Sequence, residues 1–403
     1  MIRKVSSEGI GYAVIDLNGV THIFAAAVPK KGTGLLEQSQ DALRTIEAVV
    51  RDESALGTIV RQTVFLKDFD RREDARQIIE DFYGKDLPAT CYIVQPPCEG
   101  KELVIEAWGV GRGTGKVEIQ RNSDNLVVVA HDGMRWAHCS RFAPLTDATR
   151  VYERSLSAFR RMHGVLKTEG FRYDQVLRTW LYLGDIVGPE GETQRYKELN
   201  RARTDFYKGV PFLKKHVPPS FNGAVYPAST GIGTHGKDPL MGCIALDTDR
   251  DDVVLLPLEN PQQTAAFDYG KQYSPKSPKF CRAMAVVVGD YATILISGTA
   301  SIVASETVCV GDVAGQTEQT LDNIEALIGP GNFDRYQMNG FGSTLHDLAI
   351  VRVYIKYQED YEKVRAVCEK RLGEVPTVYA VADVCRPDLL VEIEGVAFAK
   401  KTT

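Results

Sequence analysis

The 403-residue chain writes one strand and helix pattern three times, and that repetition constrains its fold more than any other feature. Three β-hairpins are predicted. They are Tyr12–Ile15 with Thr21–Ala27 around Asn18-Gly19, Leu126–Ala130 with Trp136–Arg141 around Asp132-Gly133, and Ala283–Val288 with Ala292–Gly298 around Gly289-Asp290. Asn-Gly and Asp-Gly between apolar runs are strong hairpin signals, because the tight turn needs positive φ at its central residues. Each hairpin precedes an amphipathic helix. Ala42–Val50 and Thr320–Ile328 agree nearly position for position, and Leu156, Phe159, Met162 and Val165 keep helical spacing in the middle copy. A strand follows in each copy (Val60–Lys67, Val176–Leu183, Ala349–Tyr357), then a second helix (Arg71–Phe82, Gln194–Phe206, Gln358–Leu372). Proline and a last strand pair close each copy, ending in Leu103–Ala107, Leu240–Leu246 or Leu389–Ala397.

The order β-β-α-β-α-β predicts an α+β fold with both helices on one face of each sheet. Three such layers in one chain are expected to pack sheet to sheet as a closed pseudo-threefold body. Expected boundaries lie near 115, in Gly109–Gly115, and near 260, in the loop Pro257–Ser277. The copies are then 1–115, 116–260 and 261–403.

A net charge of −5 leaves no positive field for nucleic acid or an anionic membrane. An acidic substrate would need a few placed arginines. The start of the chain lacks the apolar core of a signal peptide, and runs such as Ala283–Val288 are too short to span a bilayer. The eight cysteines form no C-x-x-C pair, and the seven histidines show no H-x-x-x-H or H-E-x-x-H spacing. Reduced thiols in a cytoplasmic protein, with no metal and no disulfide framework, are expected.

Repeats supply an internal control: a residue in every copy reads as scaffold, and one peculiar to a single copy as chemistry. Arg61, Arg178 and Arg352 take matching places at the start of the central strand, so Arg352 reads as scaffold. The closing strand differs. Aligned by apolar residues, Glu392 falls opposite Val104 and Gly242. Alternation puts Glu392 and Glu394 on one strand face, with Val391 and Ile393 on the other. Solvent exposure is the ordinary reading for Glu394, which Glu106 matches. For Glu392 the stronger reading is a carboxyl walled by apolar groups, protonated at neutral pH as a general acid must be. Ser297–Ser301, Gln272–Ala283 and Arg195–Tyr207 also lack counterparts, although a solvated helix face would account for the last equally well.

With these residues the chain resembles the RidA (YjgF/YER057c/UK114) fold in all three copies. The third copy resembles the chorismatases through Phe280-Cys281-Arg282-Ala283, Ser297-Gly298-Thr299-Ala300-Ser301 and the long run Ala382–Glu392. The middle copy's Arg195–Tyr207 is similar too. The resemblance implies an enzyme that releases pyruvate from chorismate without cofactor or metal, and places the catalytic glutamate on Glu392. Family members that hydrolyse chorismate to a dihydroxycyclohexadiene carboxylate have alanine at the positions of Gly298 and Cys385. Members that aromatise it to 3-hydroxybenzoate have glycine and cysteine, as here, and some also make 4-hydroxybenzoate.

The substrate's two carboxylates call for arginine forks. Arg203 and Arg282 lead the expected set, with Tyr207 and Thr299 as hydroxyl partners and Gly298, Ser301, Tyr354 and Arg386 completing it. Cys385 is expected to shape the ring pocket or join the rearrangement, with a buried inert thiol as the alternative. One rival is a RidA-type imine/enamine deaminase, which requires an arginine in the strand before the closing one; Pro376–Ala380 has none. Another is a non-enzymatic binding protein. A monomer is expected, since three copies complete the RidA trimer within one chain.

Overall fold

A computed structural model describes residues 2–54, 58–113, 115–212, 215–219, 221–270, 273 and 275–402. Thr114 at the first expected boundary, and Gln272 and Ser274 of the 272–283 stretch, lie outside the described residues. The architecture is α+β. Three six-stranded sheets share one strand order: an edge strand, the two hairpin strands, the closing strand, the central strand and a parallel outer strand. In the third sheet these are Val253–Leu258, Ala283–Val288, Tyr291–Ala300, Val391–Lys400, Leu348–Ile355 and Thr377–Val381.

Each sheet carries its long helices on one face: Leu35–Ser54 with Arg72–Tyr83, Val151–Thr168 with Arg195–Tyr207, and Val313–Ile328 with Tyr361–Leu372. The opposite faces of all three sheets meet in one core, where Phe24, Trp180 and Tyr354 come from different sheets. Pleating sorts the closing strand accordingly. Val391, Ile393, Ala397 and Ala399 pack under the helices, while Val396 and Phe398 face the centre with Glu392 and Glu394.

The predicted hairpins form, with one refinement. Asn18-Gly19 and Asp132-Gly133 have positive φ at both turn residues, whereas in Gly289-Asp290 only Gly289 does, at 57°. Glycine at the first central position is what a turn of the second mirror type needs.

Three edge strands, Arg3–Ser7, Val117–Ser123 and Val253–Leu258, were not expected. The first two are largely polar and half-exposed, so no apolar run announces them. The third holds Pro257, which an edge strand tolerates. It pairs along Ala283–Val288, so this segment, numbered before 260, belongs to the third sheet.

Register also corrects the matching of the arginines. The bulge in the central strand lies before Arg61, Arg178 and Ile350 respectively. Arg352 is therefore one pleat further along, where the other sheets have Thr63 and Trp180. Its partner across the strand is Glu394, and the partners of Thr63 and Trp180 are Glu106 and Gly242. Gly242 thus takes the place of Glu394, and Leu240 that of Glu392. All three guanidinium groups still converge, with Arg61, Arg178 and Arg352 stacked 4.1, 4.6 and 5.5 Å from the Trp180 ring centre.

Candidate active site

A cavity of about 490 Å³ lies where the middle and third sheets meet. One wall comes from the helix Arg195–Tyr207 (Tyr196, Asn200, Arg203) and the parallel strand Ala228–Thr234 (Ser229, Gly231). The other comes from Phe280, Arg282, Gly298, Cys385, Arg386 and Glu392 of the third copy. Backbone bonds knit the two: the Ser229 N–H donates to Ser297 Oγ (2.8 Å) and the Gly298 N–H to Thr230 Oγ1 (2.9 Å).

Glu392 is 4% exposed, and among the described residues no hydrogen bond engages its carboxyl. Burial, then the charge of Glu394, pushes it up to about 8 against the pull of Arg178 and Arg282. Such a carboxyl carries a proton at neutral pH and can donate it. Gly298 leaves the space it occupies: a Cβ there would fall 2.0 Å from Glu392 Oε1. The Cys385 thiol is pushed up to about 12 by burial and by Glu392, so it stays protonated and is no thiolate nucleophile.

Three guanidinium groups line the same cavity. Buried Arg203 donates to Ser229 Oγ (3.2 Å) and to Asn200 Oδ1, and its Nε has no partner among the described residues. Buried Arg282 donates to the Tyr269 hydroxyl (2.6 Å) and the Thr264 carbonyl (3.1 Å), with Nε again unpartnered. Phe280 lies between them, 5.4 and 5.5 Å from the two guanidinium carbons. Arg386 donates to the Ser305 carbonyl (2.9 Å) and stacks on Tyr273 (4.8 Å). Free Nε–H groups at two fully desolvated arginines suit a ligand with two separated negative charges.

Glu392, Cys385, Arg203, Arg282, Gly298 and Arg386 thus meet in one cavity, and four expected residues lie off its lining. Tyr207 packs among Phe159, Tyr173, Phe212 and Tyr226, its buried hydroxyl beside Tyr173 and Thr179. The bulge between Ile296 and Thr299 sets Thr299 opposite Ile393, on the helix side, where its hydroxyl donates to the Ser297 carbonyl. Ser301 donates to the Val308 carbonyl (2.9 Å). Tyr354 pairs across the strand with Glu392 but donates to Glu394 (3.1 Å). Glu394 itself is 3% exposed, so the solvent-facing reading of it fails.

Tyr196 and Asn200 were singled out only as part of Arg195–Tyr207, and Ser229 and Gly231 were missed. Their signal was the pair of glycines inside Ala228–Thr234, since a strand glycine marks a close approach. A Cβ on Gly231 would lie 2.7 Å from the Tyr196 ring.

Residues 108–245 match the family described as chorismatase FkbO/Hyg5-like, N-terminal. A 3-hydroxybenzoate synthase of Streptomyces hygroscopicus is 33% identical over 285 residues, covering 69% of this chain and 78% of that protein. The chain belongs to the chorismatase family. A chorismatase of Streptomyces rapamycinicus is 32% identical over 277 residues, 66% of this chain and 78% of its own. A solved chorismatase structure shares the fold, with a TM-score of 0.66 at 24% identity over 84% of this chain and 93% of that one. No described helix of this chorismatase-family protein is long and apolar enough to cross a membrane.

Proposed function

We propose that the chain converts chorismate to 3-hydroxybenzoate and pyruvate, with Glu392 as the general acid. The observation that carries this reading is a buried, unpaired carboxyl in a cavity with three arginines. Chorismate is a dianion with an enolpyruvyl ether. Arg203 and Arg282 hold its carboxylates, with Arg386 at the same cavity, and Glu392 protonates the terminal methylene to give an oxocarbenium ion. The C3 ether bond then breaks to free pyruvate as the C4 hydroxyl oxygen shifts to C3, and loss of one ring proton to the Glu392 carboxylate completes the aromatic ring and restores the acid. The two products together contain the atoms of the substrate, so aromatisation consumes no water, whereas the dihydrodiol acid requires one.

Gly298 and Cys385 support the aromatising branch. The alanine of the hydrolytic members would force the Glu392 carboxyl out of its present position, given the 2.0 Å approach. The deaminase rival gains nothing from the structure. The parallel strand at this cavity is Ala228–Thr234, and it too has no arginine. We further read the three sheets as an intramolecular RidA-type pseudo-trimer, monomeric in solution, with copies near 1–115, 116–260 and 261–403. The shared strand order supports it. Size exclusion with light scattering tests it, and a trimer would refute it.

Purified protein given chorismate should release pyruvate, read through coupled lactate dehydrogenase, and Glu392→Gln should lose about 10²–10⁴-fold of the rate. Chromatography should recover 3-hydroxybenzoate, with 4-hydroxybenzoate as a minor product at most. No pyruvate would sink the reading, and the dihydrodiol acid alone would overturn the branch.

A further inference from the structure

Two residues beyond Glu392 on the same strand face lies a second buried carboxyl to which the reaction gives no role. Glu394 is surrounded by donors. Arg178 Nη2 reaches Oε2 at 2.5 Å, and the Thr230 hydroxyl donates to the same oxygen. Trp180 Nε1 (2.9 Å), Arg352 Nη1 (3.0 Å) and the Tyr354 hydroxyl (3.1 Å) share Oε1. Five donors saturate the roughly four lone-pair positions of a carboxylate, and a protonated acid would have to give one up. Two of the five are guanidinium groups. Glu394 is therefore held as an anion inside the core: burial alone would raise it, but Arg178, Arg352 and the hydrogen bonds bring it below its ordinary value.

The anion's neighbours tie it to the catalytic carboxyl. Its α-carbon is about 7 Å from that of Glu392 by strand geometry. Thr230, which donates to Glu394, accepts from the Gly298 N–H, and Gly298 is the residue that abuts Glu392. The groups facing Glu392 are Glu394 on its own strand, Arg178 from the middle sheet, Arg282 at the start of the hairpin, Tyr196 from the middle helix and Cys385. Arg178 spends its charge on Glu394 and Thr230, and Arg282 is occupied by Tyr269 and Thr264. Neither cation donates to Glu392, and the Glu394 charge acts on it from two residues along the same strand face.

We propose that Glu394 is a positioning residue for the reaction, its fixed negative charge keeping the proton on Glu392 between turnovers. This rests on Glu392 being the acid. The alternative is that Glu394 merely anchors the central arginines. The two differ in pH dependence, because an anchor leaves the ionisation of Glu392 alone.

The test is kcat/KM for pyruvate release against pH in wild type, Glu394→Gln and Glu394→Asp. The alkaline limb should move down by about 1–3 pH units in Glu394→Gln and stay with wild type in Glu394→Asp. A limb that does not move in Glu394→Gln overturns the inference, even if the rate falls. Should Glu394→Gln not fold, Glu394→Met takes its place, and the pH at which the protonated Glu392 carboxyl infrared band is lost decides, the band being assigned by its absence in Glu392→Gln. A band lost about 1–3 pH units below wild type supports the inference, and a band lost at the wild-type pH overturns it. Failure of the functional reading looks different: wild type would release no pyruvate, or Glu392→Gln would keep full activity.

Discussion

Glu392 and Glu394 are the same residue type on the same face of one strand, both almost fully buried, yet the fold treats them oppositely. Glu394 meets two guanidinium groups, an indole and two hydroxyls, and is ionised; Glu392 meets none and holds its proton. The lesson is that burial alone does not decide the state of a carboxyl. Donor supply does, and here it changes over a single pleat because the middle sheet delivers Arg178, Trp180 and Thr230 to one position only.

The largest effect that would break this contrast is on stability. In the unfolded chain Glu392 ionises near the ordinary glutamate value, about 4.3, whereas in the fold it keeps its proton to about 8. The native state binds the extra proton across that window, so stability falls as pH rises through it, by about 1.4 kcal/mol per pH unit. Glu392→Gln has no such slope. Urea unfolding should find the variant more stable than wild type at pH 7 by a few kcal/mol, with the gap closing below about pH 4. A gap independent of pH would mean that Glu392 is ionised in the fold.

Gly298→Ala comes next. Its Cβ displaces the Glu392 carboxyl, and a misplacement near 1 Å costs on the order of 10²-fold in kcat. An unchanged kcat with unchanged products would show that the carboxyl position is not limiting. The smallest effect is expected at Tyr207, which packs between the middle helices and their sheet, off the cavity lining. Because its hydroxyl has only Tyr173 and Thr179 beside it and does not line the cavity, Tyr207→Phe should change stability by about 1 kcal/mol at most and kcat/KM by less than about twofold. A large loss of kcat/KM would return Tyr207 to the site.

Local features of the fold were legible in the sequence because their causes are local. Turn dipeptides marked the hairpins, helical spacing marked the helices, and alternation in 391–394 assigned the faces of the closing strand correctly. Comparison of the copies singled out Glu392. What stayed hidden depends on contacts between copies. Three of the five partners of Glu394 lie 164 to 216 residues away in the middle copy and the other two 40 and 42 residues away in the central strand, so nothing near it in sequence tells a solvent-facing glutamate from a buried anion. Bulges hid the rest. The central strands share one bulge, past which Arg352 lies two residues further along than Arg61 and Arg178, and a bulge after Ile296 turned Thr299 from the site. A single inserted residue reverses which side chains face inward, and apolar patterning alone does not locate it.

The central claim is that Glu392 enters the reaction protonated. The pH dependence of kcat/KM for pyruvate release by the wild-type chain tests it most directly. The account predicts a rate that is level through neutral pH and falls above about pH 8, as Glu392 loses its proton. A rate that falls away above about pH 5, or one that rises through pH 8, would contradict it.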